Sequence, residues 1–210
     1  SSASTVDRDD SSEHHPTHPN ESPARLDERR GTADSEADKF HQMKARKASV
    51  EAAVTAFNAK PGLGSLAGCP DLDVDDPDAV AAFLLAAKGL DKTAIGELLG
   101  GFDDDEVAVM RAFVRLHDFV GNDFDVALRR FMSAFRLPGE AQKIDRLMEA
   151  FATKYCEDNP NIFADPDAAY VLAFAVIMLN TDAHNPNMDT KMTKADFIGM
   201  ATSAESGASM

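Results

Sequence analysis

Residues 135–152, FRLPGEAQKIDRLMEAFA, decide how this chain reads. An apolar stripe of Leu128, Phe131, Met132 and Phe135 runs into the segment with helical spacing. Pro138-Gly139 then breaks it. A second stripe, Ile144, Leu147, Met148 and Phe151, starts at once. Glu140 stands at the joint, a carboxylate on an exposed turn between two helices. A helix cap is the plainest account of it, and the rest of the chain has to show whether a cap is enough.

The same helical period extends in both directions. Val50, Ala53, Val54 and Phe57 form one stripe, which KPGLGSL interrupts. Asp76-Pro77 supplies an N-cap and a first-turn proline, followed by Val80, Phe83, Leu84 and Ala87, with Gly89 as the stop. Ile95, Leu98 and Leu99 make a short helix before Gly100-Gly101. DDDE at 103–106 suits a helix N-terminus, where acids meet the positive end of the dipole. Val107, Met110, Val114 and His117 follow, with Gly121 as their end. Asp165-Pro166 opens another helix. Thr193 with Asp196 three residues on opens the last, as in a capping box. No window alternates with period two, so the fold class is all-α.

Bulk composition narrows the function. The chain has 210 residues and a net charge of −15, which argues against nucleic acid and against electrostatic docking on anionic lipid. Residues 1–38 are polar, acidic and nearly free of large apolar side chains, and read as a disordered tail. Residues 39–200 form the helical domain, and residues 201–210 a small polar tail. The start lacks both a signal peptide and an initiator methionine, which reads as a fragment. Cys69 and Cys156 stand in no metal-ligand spacing and read as reduced thiols. His14, His15 and His18 fit tail composition better than a metal site.

Asp71, Asp73 and Asp75 alternate like an EF-hand loop. Position six is Asp76 rather than Gly, and the bidentate Glu is missing, so no calcium site is expected. Ala168–Leu179 is a run of twelve apolar residues, too short to span a bilayer. Leu172, Val176 and Leu179 form one stripe, and Tyr170, Phe174, Ile177 and Met178 another. Such a helix is buried all round, or it buries one side and offers the other to a partner. His184 reads as a structural histidine, with no Ser or Cys nucleophile in a recognisable setting. Glu140 and Asp145, five apart on one helix, face each other poorly as an acid–base pair.

Two stretches are too specific for periodicity alone. FRLPGEAQKIDRLMEAFATKYC and YVLAFAVIMLNTDAHNPN resemble the two signature motifs of the Sec-seven domain, the catalytic module of guanine-nucleotide exchange factors for Arf-family small GTPases. FNAKPGLGSL, AAFLLAAKGLDKTAIGELLG and MRAFVRLHDFVGNDFDVALRRFM match in order and spacing, so the resemblance covers about residues 45–200.

The resemblance implies an elongated right-handed array of helices with a hydrophobic groove. It implies that Glu140 is the family's glutamic finger. It implies that Asp167, Tyr170, Phe174, Ala175, Ile177, Met178 and Asn185 belong to the groove that receives the GTPase switch regions. The implied partner is an Arf-family GTPase in its GDP-bound and nucleotide-free forms, with no cofactor, no metal and no nucleic acid. The implied location is cytoplasmic, with indirect recruitment to Golgi, endosomal or plasma membranes.

Members trapped by the inhibitor brefeldin A carry Tyr-Ser where this chain has Phe174-Ala175. They carry Asp and Met where it has Asp182 and Met192. The mixed pattern implies weak or no sensitivity. Family domains continue with further helices past KMTKADF, so the resemblance also implies a domain truncated at its C-terminal end. Two rival readings stand beside the exchange factor. One is a helical adaptor that binds a GTPase without exchange, and the other a helical hydrolase using Glu140, Asp145 or His184.

Overall fold

The computed structural model describes the backbone of residues 23–184, 186 and 190–207, and the side chains of residues 36, 38–184, 186 and 190–202. The described residues form helices and turns, with no strand among them. In order these are α1 (Pro23–Ala59), a 3₁₀ turn (Leu63–Leu66), α2 (Pro77–Ala86), α3 (Lys92–Leu99), α4 (Asp104–Arg115), α5 (Phe124–Ser133), α6 (Ala141–Asp158), α7 (Pro166–His184) and α8 (Lys194–Gly207). The expected all-α class is what the structure has.

The described residues up to Ala45 and those from Arg46 on form separate units. Within the second, α2 packs on α4, α4 on α3 and α6, α6 on α5 and α7, and α7 on α8.

The starts of the helices follow the capping chemistry. Asp76 Oδ1 accepts from Asp78 N–H at 3.0 Å, and Asp165 Oδ1 from Ala168 N–H at 2.9 Å. Asp196 Oδ2 accepts from Thr193 N–H at 2.9 Å, while Thr193 Oγ1 accepts from Asp196 N–H at 3.2 Å. This is a reciprocal capping box with Asp in the acidic position. The acids of the EF-hand-like run are spent on turns, since Asp73 Oδ1 takes the Asp75 N–H at 3.0 Å.

Several boundaries depart from the expected ones. α1 begins at Pro23, and residues 1–22, with His14, His15 and His18, lie outside the described residues. Side chains 38–49 are exposed, so burial does not hold this part of α1. Its Ala, Arg, Lys, Gln and Met content supplies the helix propensity. Likewise α8 continues to Gly207, through the proposed boundary at 200. α2 stops at Ala86, and Gly89 serves the following loop with φ of +88°. α4 stops at Arg115 rather than near Gly121, because His117 turns back so that its Nδ1 meets the Phe113 carbonyl at 2.9 Å.

The core is aromatic. Phe113, Phe119, Phe131 and Phe151 are fully buried, and the His117 ring lies 5.1–5.7 Å from those of Phe113, Phe119 and Phe131. The His117–Phe131, Phe119–Phe131 and Phe119–Phe151 pairs meet edge to face, the favoured geometry of quadrupolar rings. The C-terminal end of α6 fastens the 117–122 loop over them. Asp158 accepts from Phe119 N–H at 2.9 Å, Asn159 from Gly121 N–H at 2.8 Å, and Tyr155 donates to the Asn122 carbonyl at 2.9 Å. Cys69 and Cys156 are free thiols, and burial pushes both above the usual thiol range.

Candidate functional site

The segment before Glu140 is pinned to α3. Arg136 N–H donates to the Lys92 carbonyl at 2.9 Å, and Lys92 Nζ donates to the Ser133 carbonyl at 2.6 Å. Gly96 makes this approach possible, because a Cβ there would sit 1.8 Å from the Arg136 carbonyl oxygen. Pro138 is buried and Gly139 exposed. The chain therefore leaves α5, touches α3, and turns outward at residue 139.

Glu140 is the N-cap residue of α6, with φ of −98° and ψ of 128°. Its backbone carbonyl accepts from Lys143 and Ile144 N–H at 3.1 and 3.2 Å. Its side chain makes no capping hydrogen bond. The carboxylate is 64% exposed and lies 3.2 Å from Lys143 Nζ. The plain capping role thus belongs to the backbone of Glu140 and not to its acid. Lys143, in turn, is 3.0 Å from Glu97 on α3. One turn on, Arg146 donates to the Gly100 and Gly101 carbonyls at 2.6 and 2.7 Å and stacks 4.2 Å over Phe102.

α7 provides the second half of the site. Its buried apolar residues are Ala169, Ala173, Ala175 and Ile177. Tyr170 and Phe174 are half-buried, with ring centres 6.3 Å apart, and Met178 is 42% exposed. Asp167 is exposed at the first turn, and Asn185 lies outside the described residues. The Tyr170 hydroxyl donates to Asp145, and this bond, with burial behind it, pushes the phenol up to about 12. Asp145 follows Glu140 on α6, so one bond links the helix that Glu140 begins to the apolar face of α7.

A groove of about 550 Å³ runs between α5 and α7, lined by Leu128, Met132, Val176 and Ile177, with Asp125, Arg129, Ser133 and Asn180 around them. Of the groove positions carried over by resemblance, Ile177 lines this space. Tyr170, Phe174 and Met178 share the outward side of α7, and Ala175 is buried beneath.

Asp182 is buried. Its Oδ2 accepts from Met192 N–H at 2.6 Å, and its backbone carbonyl from Lys191 Nζ at 2.6 Å. Asp182 and Met192, two of the four positions compared for inhibitor response, are therefore bonded to each other. His184 is exposed at the end of α7. Glu140 and Asp145 are directed to different partners, Lys143 and Tyr170, and do not form a pair.

The Sec7 domain family model matches residues 46–210. This chain belongs to the Sec7 domain family. Its relatives include the Brefeldin A-inhibited guanine nucleotide-exchange protein 2 of Arabidopsis thaliana, 48% identical over 170 residues, which is 80% of this chain and 9% of that protein. Human Cytohesin-3 is 52% identical over 130 residues, 62% of this chain and 32% of its own length. The chain thus spans about a tenth of the first and a third of the second.

Among solved Sec7 domains, the Sec7p catalytic domain superposes with a TM-score of 0.65 at 42% identity, covering 71% of this chain and 80% of that one. A Sec7 domain bound to ARF1-GDP and Brefeldin A gives 0.67 at 38% identity, covering 75% and 81%. The matched region begins at Arg46, where the second unit begins. No described helix of this Sec7 domain is long and apolar enough to cross a membrane.

The sequence pattern singled out Glu140 but not Lys143 and Glu97, which the structure places beside it. The spacing of three between Glu140 and Lys143 was a visible signal. The approach of Glu97, 46 positions away, had none.

Proposed function

We propose that this Sec7 domain promotes GDP release and GTP loading on an Arf-family small GTPase, with Glu140 as the displacing acid. The observation that carries this reading is the Glu140 carboxylate, 64% exposed on a pinned turn and free of the capping bond its position would allow. The Sec7 domain solved with ARF1-GDP supports the choice of partner.

The chemistry is electrostatic. Small GTPases hold the β-phosphate with Mg²⁺, a P-loop lysine and backbone amides. A carboxylate driven into that site repels the phosphate and competes for its cations. Like charges about 4 Å apart repel by about 4 kcal/mol at an effective dielectric near 20, which is on the order of a thousandfold in nucleotide affinity. Binding of the switch regions to a groove that takes in Asp167, Tyr170, Phe174, Ala175, Ile177 and Met178 of α7, with Asn185 after it in sequence, supplies the free energy that brings the acid in. The domain binds the nucleotide-free GTPase best, which is the logic of transition-state binding. No covalent intermediate, cofactor or metal of its own is required, and hydrolysis plays no part. The setting is peripheral, at Golgi, endosomal or plasma membranes reached through other segments or partners.

The test is release of a fluorescent GDP analogue from N-terminally truncated Arf. The domain accelerates release, and Glu140→Lys abolishes the acceleration while still capturing Arf·GDP. A folded wild-type domain that binds Arf without acceleration would establish an adaptor instead. Brefeldin A has weak or no effect, with Phe174, Ala175, Asp182 and Met192 as the determining positions. A tight drug-stabilised complex with Arf·GDP would reverse that assignment.

A further inference from the structure

Three charged side chains meet where α6 begins. Lys143 Nζ lies 3.0 Å from Glu97 Oε2 and 3.2 Å from Glu140 Oε1. The lysine side chain is only 13% exposed, against 41% for Glu97 and 64% for Glu140. Its stem lies against Gly100, where a Cβ would come within 2.8 Å of Lys143 Cδ and 3.1 Å of its Cβ. Any side chain larger than hydrogen at position 100 would crowd the lysine from this place. The hydrogen bond that Lys143 Nζ donates to Glu97, then that to Glu140, holds the ammonium above its ordinary value, so it stays charged across the physiological range.

An ordinary i,i+3 pair on a helix surface is worth a few tenths of a kcal/mol, which gives no reason to berth the lysine so closely. The berth makes sense if Nζ has to be in a fixed place. Resting on the reading of Glu140 as the displacing acid, we infer that Lys143 is a positioning residue for the Glu140 carboxylate, held by Glu97 and by the space at Gly100.

Two physical consequences support this. First, the N-terminal N–H groups of a helix lack intrahelical partners, and a carboxylate at the N-cap is attracted to them. A Glu140 side chain bonded to those groups would be tied down by the helix end. Lys143 offers a competing cation on the α3 side and keeps the acid off the helix end. Second, the acid must leave Lys143 when it enters the cationic phosphate site of the GTPase. A lysine whose side chain is 13% exposed, left without an acid beside it, would oppose that step by its unpaired charge. Glu97 removes the opposition, because Lys143 keeps one carboxylate when Glu140 departs. The pair of acids around one lysine is a hand-over, with Glu97 as the partner that stays.

The test uses the full chain, GDP release from truncated Arf, and the variants Lys143→Gln, Glu97→Gln, Glu140→Gln and Glu140→Gln/Lys143→Gln. Lys143→Gln lowers kcat three- to tenfold and leaves KM for Arf·GDP within twofold. Glu97→Gln, at a more exposed position, does the same to a smaller extent and covers the case in which Lys143→Gln fails to fold. The double variant is no slower than Glu140→Gln alone, because a positioning residue has nothing left to position.

A role in stability alone would give a loss that multiplies with that of Glu140→Gln, or a rise in KM, and either overturns the proposal. So does an unchanged kcat in both Lys143→Gln and Glu97→Gln. Normal exchange by Glu140→Gln would instead overturn the reading of Glu140 itself, and this proposal with it.

Discussion

α6 and α7 are neighbouring helices of similar length, 18 and 19 residues, and they use apolar residues in opposite ways. α6 buries its large side chains: Leu147, Met148, Phe151 and Tyr155 are all but inaccessible, while its other face carries charge. α7 is the more apolar of the two in sequence, yet the apolar residues it buries best are alanines, and Tyr170, Phe174 and Met178 stay at or near the surface. Total hydrophobicity therefore does not say what a helix buries. What matters is which side carries the large residues, and α7 buries its alanines most deeply while Tyr170, Phe174 and Met178 keep more of their surface exposed. That distribution lets α7 pack closely and still keep an apolar face for a partner.

The comparison breaks most visibly on two phenylalanines. Phe151→Ala in α6 costs about 3–5 kcal/mol, read as a shift in the urea midpoint. Phe174→Ala in α7 costs less than about 1 kcal/mol but weakens capture of Arf·GDP several-fold. Equal costs in the urea titration would mean that the outward face of α7 is core.

Ala173→Leu sharpens the same point from the buried side. The site is fully buried, so the added methylenes overpack it and cost about 1–3 kcal/mol. A variant as stable as the parent would show slack between α6 and α7.

The smallest effect concerns pH and belongs to the aromatic core alone. Burial pushes the His117 imidazole below its ordinary value of 6.5, while its bond to the Phe113 carbonyl acts the other way. The unfolded chain then binds a proton at a pH where the folded chain does not, so stability rises with pH through this window. The contribution is complete above about 6.5 and is lost as pH falls toward the folded value. His117→Asn narrows the gap between urea midpoints at pH 7.5 and 5.5. An undiminished gap would assign the dependence to other groups.

How much of this could be read beforehand varies with the physics involved. Asp76-Pro77, Asp165-Pro166 and the Thr193/Asp196 pair marked helix starts because capping is a matter of three or four adjacent residues. Helix ends were less legible. Gly121 looked like the stop of α4, but the ring contacts of His117 with Phe119 and Phe131 end it at Arg115. The exposure of Glu140 was announced by Pro138-Gly139. Its neighbour across the turn, Glu97, came from another helix and left no local trace. For α7 the two stripes were visible, but periodicity could not say that Ala175 and Asp182 would be inside and Met178 outside. That choice is made by α6 and α8.

Gly96 has a practical consequence for protein engineering. The residues Phe135–Ala152 could be copied into another pair of helices, and the proline, the glycine and the acid would all arrive intact. Their placement would not, because it depends on an absent side chain one helix away, into whose space the Arg136 carbonyl reaches. The portable unit is the segment together with α3, and a graft that omits α3 would move the letters without the position they encode.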